Sequence, residues 1–335
     1  MARPVTLFTI QWGDLPLEEI CRLAQQMGYE GLELAKDAHF NAAKMAETPA
    51  YAAEIRETLA KYDLGCWAIS AHLTGQCVSD SLPWAYDPRL DGFAPSALAG
   101  KPDEIQKWAV EEMKIMAHAA KNLGVDVVTF FMGSPIWKFW YSFPQTSEEM
   151  VEEGYQKVKE LWTPIMDEYD KCGVKLALEV HPTEIAFDYW STKKLLDTFE
   201  WRPTLGINFD PSHLIWQGMD LIAVIRELGK ANAIFHFHAK DTKVDAINTA
   251  VNGVLDTQHY SEELTRSWIF RSVGYGHGED YWKAIASELR LAGYDYAISI
   301  EHEDSLMSGK EGLLKAIGCL KNSLIFEDRG NMYWA

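Results

Sequence analysis

The sequence predicts an α/β protein folded as a single (β/α)8 TIM barrel with long βα loops, and three observations carry that prediction. Eight short apolar runs alternate with eight amphipathic segments along the 335 residues. The runs are rich in β-branched residues and lack polar alternation, as strands covered on both faces do. The first βα turn reads QWGDLP, without the GxGxxG phosphate loop of the competing doubly wound sheet. A barrel takes about 250 residues, which leaves the remainder for decorated loops. No linker, low-complexity tract or repeat divides residues 1–335, so one domain is expected.

The expected strands are VTLFTI (5–10), GLELA (31–35), LGCWAIS (64–70), VDVVTFFM (125–132), VKLALEV (174–180), TLGINF (204–209), AIFHFH (233–238) and YAISIE (296–301). Helical patterning covers 16–27, 49–62, 102–122, 147–171, 191–199, 219–229, 280–291 and 310–325. Asp14-Leu15-Pro16 opens the first of these and Gly28 closes it, while Pro102 stands near the start of the third. Three βα loops are long, at 71–101, 133–146 and 239–279, and loops on that face build the substrate pocket of a barrel. Their length suggests a substrate larger than a triose or a surface for a partner.

Composition narrows the function. Hydrophobic residues make up 47% and charged residues 24%, as in an ordinary globular protein. The net charge of −18 opposes a phosphate backbone, so nucleic-acid binding is not expected. The opening MARPVTLFTIQW has no long apolar core or small-residue cleavage site, and no run reaches the roughly 20 apolar residues of a membrane span. Five scattered cysteines without CxxC spacing read as reduced thiols, so a cytoplasmic protein is expected. Trp137 and Trp140, in the Pro-bounded loop SPIWKFWYSFPQ, are expected either to pack the loop or to stack on a sugar or flat aromatic substrate.

Four runs of the second half each end in a metal-binding residue: Glu179 in LALEVHP, Asp210 in LGINFDPSH, His238 in IFHFHAKD and Glu301 in ISIEHED. All four fall at strand C-termini, where a barrel carries its chemistry. One acid at a strand end is readily explained by an ion pair with a neighbouring strand; four donors on consecutive strands are not. Three carboxylates and one imidazole suit a hard or borderline divalent ion, Mn2+ or Mg2+ before Zn2+. Because residues i and i+2 of a strand share a side, His181 accompanies Glu179, Asn208 accompanies Asp210, and His236 accompanies His238.

Further candidates follow from position. His213, three residues after Asp210, either reaches a substrate hydroxyl or bonds local backbone. His181 is read as an orienting group or a proton donor. Glu33 and His72 lie near the ends of the second and third strands, placed to bind sugar hydroxyls. Lys240 either pairs with Asp241 or steadies an oxyanion. Arg271 and His277, late in the longest loop, are candidates to close over substrate. His39, His118 and His259 receive no role. A divalent ion that grips adjacent carbonyl and hydroxyl oxygens acidifies the C–H between them, so proton abstraction next to a sugar ketone is the expected first step.

In their order these motifs resemble the xylose-isomerase-like sugar phosphate isomerase/epimerase superfamily over essentially the whole chain. The resemblance implies one catalytic divalent metal, often Mn2+, bound by Glu179, Asp210, His238 and Glu301. It also implies that Glu179 and Glu301 exchange the proton, as in ketose 3-epimerases, while His213 holds substrate. MARPVTLFTIQWGDLPLEE, EVHPTEIAFDYW and HFHAKDT…NGVLDT…GYGHGE are similar to a narrower branch that includes catalytic α subunits of bacterial C-glycoside deglycosidases. That branch implies cleavage of the C1–aglycone bond of 3-oxo-glucosides and a small β partner subunit. Two expectations therefore stand side by side, a lyase on 3-oxo-C-glycosides and a keto-sugar isomerase or epimerase, with the lyase favoured. His181 departs from simple ketose epimerases, which usually lack a histidine two residues after the fifth-strand glutamate. A sugar-binding scaffold without turnover is a third reading, and a metal-dependent endonuclease a fourth that the acidic charge disfavours.

Overall fold

Eight parallel strands close on themselves in the computed structural model, which describes residues 3–327 and 330–334. They are β1 (Val5–Phe8), β2 (Gly31–Ala35), β3 (Gly65–Ser70), β4 (Val127–Phe130), β5 (Lys175–Glu179), β6 (Leu205–Phe209), β7 (Ile234–Ala239) and β10 (Ile298–Ile300). Each pairs with its neighbour in chain order, and β10 returns to β1 to complete the ring. The remaining strands, β8 (Asp241–Val244) and β9 (Trp268–Arg271), form an antiparallel hairpin inside the loop that follows β7. All eight expected strands are present. The first is shorter than its apolar run because Thr9–Trp12 turns into a 3-10 helix, where the Thr9 hydroxyl accepts from the Ala35 amide at 3.0 Å.

The expected helices surround the barrel, from Leu17–Met27 to Gly309–Ser323. Their ends follow local chemistry. Gly28 takes φ 88° after the first helix, and Asp188 and Ser191 form a reciprocal capping box. Shorter helices at Ala42–Glu47, His72–Asp80, Pro211–Ile215 and Ala246–Asn252 fall within stretches read as loop. The helix His72–Asp80 carries Gly75 because it crosses the chain after β4: a Cβ there would lie 2.1 Å from the Phe131 carbonyl oxygen. The five cysteines are all free. Among the described residues, no helix is long and apolar enough to cross a membrane.

Two carboxyl groups lie beneath the loop that leaves β4. The Met132 and Gly133 amides donate to Glu184 Oε2 at 2.7 and 2.5 Å, and the Ser134 amide donates to Asp80 Oδ1 at 2.5 Å. Burial, reinforced by Asp80, pushes Glu184 well above the usual carboxylate range, and burial raises Asp80 to about 6. An unfolded chain releases the Asp80 proton near pH 4, so the folded state loses stability as pH rises from about 4 to 6. Asp80→Asn keeps the acceptor oxygen and removes the charge. It is expected to stabilise the protein at pH 7 by about 1–3 kcal/mol and to flatten that decline, as read by urea denaturation. Equal pH profiles for both proteins would count against the buried acid couple.

Candidate metal centre and active site

Each donor at the mouth of the barrel is set by strand alternation. Glu179 ends β5, Asp210 follows β6, His238 lies in β7 and Glu301 follows β10. One ligand atom from each of the four lies within 4.8 Å of every other, and all four residues are buried. Asp210 also caps the short helix behind it, accepting from the Ser212 amide at 2.8 Å through Oδ1. That leaves Oδ2 turned towards the cluster.

These residues fit a divalent cation by a direct criterion. Asp210 Oδ2, His238 Nδ1, Glu301 Oε2 and the nearby His213 Nε2 are all buried, and none makes a hydrogen bond within the protein. His238 Nδ1 is nevertheless 3.1 Å from Glu179 Oε2 and 3.2 Å from Glu301 Oε2. Close approach without hydrogen-bond geometry, on atoms that are costly to leave unpaired, is what a set of metal ligands presents. Burial works against the negative charge of Glu179, but His213, His238 and His72 outweigh it and hold the carboxyl well below the usual range. Asp210 is depressed in the same way, against burial, by Lys240 and His213. His238 is lifted well above the usual imidazole range: burial lowers it, but Glu33, Glu179 and Glu301 prevail. A cation on Nδ1 would take the place of that proton.

Beneath the centre, Glu33 sets the orientation of His238. Its oxygens stand 3.2 and 3.1 Å from His238 Nε2, and Oε2 stands 2.8 Å from His236 Nε2. Thr129 and Ser299 extend this network through their hydroxyls. Glu33 is therefore corrected from a sugar-binding residue to a support: it has no exposed surface and does not line the cavity. The partnership leaves Nδ1 as the nitrogen that faces the other three donors.

The structure brings several other candidates to the same place. His72 contacts Glu179 Oε2 at 3.1 Å, with its other nitrogen 2.7 Å from the Ser70 hydroxyl. His213 Nε2 lies 3.5 Å from Glu179 Oε1 and 3.4 Å from Asp210 Oδ2. Burial and Lys240 lower the pKa of His213, yet Asp210 and Glu179 lift it to about 9. Its neighbour His181, with ring centroids 4.1 Å apart, is pushed by burial and by the His213 charge to about 3. His181 donates through Nδ1 to the Pro182 carbonyl, so its free nitrogen accepts. With Nδ1 committed to that carbonyl, His181 faces His213 as an acceptor.

Lys240 does not pair with Asp241. Its Nζ stands 3.2 Å from Asp210, 3.3 Å from Glu301 and 2.9 Å from Glu303. Asp241 is occupied by the Gly276 and His277 amides and by His277 Nδ1 at 2.8 Å. His277 thus anchors the long loop and lies outside the cavity. Arg271 is likewise turned away, bonded to Asp304 at 3.0 Å, and Trp137 packs against Trp140 and Phe187. The substrate-facing roles expected for Arg271, His277 and Trp137 are corrected accordingly. Sequence reasoning missed the aromatic wall supplied by Trp216, Tyr260, Trp268 and Phe270, in which the Trp216 and Trp268 rings stack 4.8 Å apart. The β-branched and aromatic composition of SWIFR was the available signal for its strand.

Residues 21–323 match the family model described as "Xylose isomerase-like TIM barrel". The uncharacterized protein YfiH of Bacillus subtilis (strain 168) is 27% identical over 320 residues, covering 93% of this chain and 96% of that protein. Among solved structures, the apo form of the 3-keto-D-glucoside 4-epimerase YcjR from E. coli superposes with a TM-score of 0.65 at 11% identity, over 96% of this chain and 99% of that one. The IolI protein with a bound zinc atom gives 0.61 at 17% identity, with the same two coverages of 96% and 99%. At these identities the two structures show likeness of fold.

The support role of Glu33 makes a quantitative expectation. Glu33→Gln should weaken divalent-ion affinity by about 10- to 100-fold, and His238→Ala should abolish stoichiometric binding, as read by calorimetry and metal content. Wild-type affinity in both variants would contradict the assignment.

Proposed function

The chain belongs to the xylose isomerase-like TIM barrel family, and from that premise we propose that it is a divalent-metal-dependent isomerase or epimerase acting on a keto-sugar by removal of the proton next to the ketone. The observation that carries this reading is the convergence of Glu179 and Glu301 on a single point beside His238 Nδ1. The likeness to a 3-keto-D-glucoside 4-epimerase favours a keto-glucoside as the substrate class. A divalent cation held by Glu179, Asp210, His238 and Glu301 would polarise the substrate's carbonyl and adjacent hydroxyl oxygens and offset the negative charge that develops on them. With three oxygen donors and one nitrogen, Mn2+ is the ion proposed first, with Mg2+ next.

The roles of the chain's own groups follow from their surroundings. Glu301 accepts no hydrogen bonds like those that His72 and Asn208 make to Glu179, so Glu301 is assigned the role of base. Glu179 is held by Asn208 at 3.0 Å and by His72, and it faces the centre from β5, three strands round the barrel from β10. His213 Nε2 lies 3.5 Å from Glu179 Oε1, so a proton on that nitrogen could pass to Glu179 and return to the sugar from that side. Lys240, between Asp210 and Glu301, places a fixed positive charge where oxygen charge grows. The aromatic wall gives the substrate an apolar surface to pack against.

A second reading shares the first step. Loss of the C2 proton of a 3-keto-glucoside is followed by expulsion of the C1 substituent, and a protonated His213 supplies the proton that the departing group needs. This lyase reading carries with it the proposed small partner subunit. Incubation of the Mn2+-loaded protein with 3-keto-glucosides in D2O separates the two. Deuterium at a carbon flanking the ketone, with inverted configuration and an intact glycoside, is expected; free aglycone would transfer the assignment to cleavage. Glu301→Gln, assayed at Mn2+ concentrations that saturate the variant, should lower exchange by at least about 100-fold. Exchange at the wild-type rate would remove Glu301 from the role of base.

A further inference from the structure

The cavity above the metal centre encloses about 1120 Å3, more than the roughly 300–1,000 Å3 of pockets that bury a drug-sized ligand. The metal-binding side chains occupy the β5, β6, β7 and β10 side of the barrel mouth. The same cavity runs on to the opposite side, where Lys36 and Asn41 after β2, Phe93 after β3, and Trp108 and Glu112 of the helix Pro102–Leu123 line it. None of these five belongs to the metal-binding cluster.

This far arm has a definite chemistry. The Lys36 side chain is only 5% exposed, and its Nζ lies 3.1 Å from Glu112 Oε2 and within reach of Asp37. The same ammonium stands 5.5 Å from the centroid of the half-buried Trp108 ring. An ion pair withdrawn from water on a cavity wall loses hydration that its mutual attraction only partly restores, so its polar atoms gain from further hydrogen bonds. An indole, a carboxylate, an amide and an ammonium together match a hydroxylated ring: the indole takes the C–H face, and the polar groups take hydroxyls. A free ketose held at Glu179 and Glu301 would leave this arm empty.

We infer that the far arm, built from Lys36, Asn41, Trp108 and Glu112, is a second subsite for a sugar-like ring, so that the substrate is a glycoside of at least two rings. The inference rests on the keto-sugar reading above and specifies its substrate. The reacting ring sits at the metal centre, and the ring bonded to it lies against Trp108.

The test compares the 3-keto derivative of a disaccharide with that of methyl glucoside, using wild type, Trp108→Ala and the near-isosteric Glu112→Gln, with folding checked by thermal unfolding. Wild type is expected to prefer the disaccharide by about tenfold or more in kcat/KM, and both variants should bring that ratio towards one. A wild-type ratio near one, or a ratio unchanged in both variants, would overturn the subsite. Calorimetry with the unoxidised disaccharide and methyl glucoside separates this result from the chemistry. If no keto-sugar is turned over, the proposed function falls. Tighter binding of the disaccharide that Trp108→Ala abolishes would still establish the subsite, and equal affinities would dismiss it. A phenyl glucoside preferred over the disaccharide and indifferent to Glu112→Gln would also overturn the sugar-like ring, in favour of a flat aromatic one.

Discussion

Four carboxylates, Glu33, Glu179, Asp210 and Glu301, are buried together at the mouth and upper interior of the barrel, none more than 8% exposed. Like charges withdrawn from water cannot remain so close unless positive charge is placed among them. The chain supplies part of it through His238, His213 and Lys240, and their contacts define the site. Polar atoms of Asp210, His238 and Glu301 still face one another without making hydrogen bonds. A divalent cation would complete that balance, and the cluster has the donors to hold one.

The division of labour among the histidines follows from the same field. His238 lies between Glu33 below and Glu179 and Glu301 above, so its two nitrogens have different tasks. His213 is held charged by two carboxylates, whereas His181, 4.1 Å away and bonded to a carbonyl, is kept neutral by burial and by that charge.

Much of this was legible in the chain, for reasons that differ by residue. The eight strands were visible because buried parallel strands are continuous apolar runs, and the four metal-facing donors because each interrupts such a run at its end. Glu33 was visible as a strand residue, but not its direction: GLELA gives no sign that the side chain points down the barrel towards His236 and His238. Long-range partners explain the other corrections. Lys240 and Asp241 are adjacent in sequence, yet strand alternation sends one to the metal centre and the other to the amides of the 274–277 turn. Trp137 lay in the most conspicuous aromatic cluster and packs against Trp140 of its own loop and Phe187 of the next. The wall is made instead by residues some 50 apart in sequence, from Trp216 to Phe270, joined by the β8–β9 hairpin. Gly75 concealed a helix because its packing against the Phe131 carbonyl is invisible to propensity.

The measurement that bears most directly on this account is an anomalous-scattering crystal structure of the protein loaded with Mn2+. The account predicts one ion, bound by Glu179, Asp210, Glu301 and the Nδ1 atom of His238, with Glu33 still on Nε2. An ion on Nε2 beside Glu33 and His236, or no ordered ion at the barrel mouth, would contradict it.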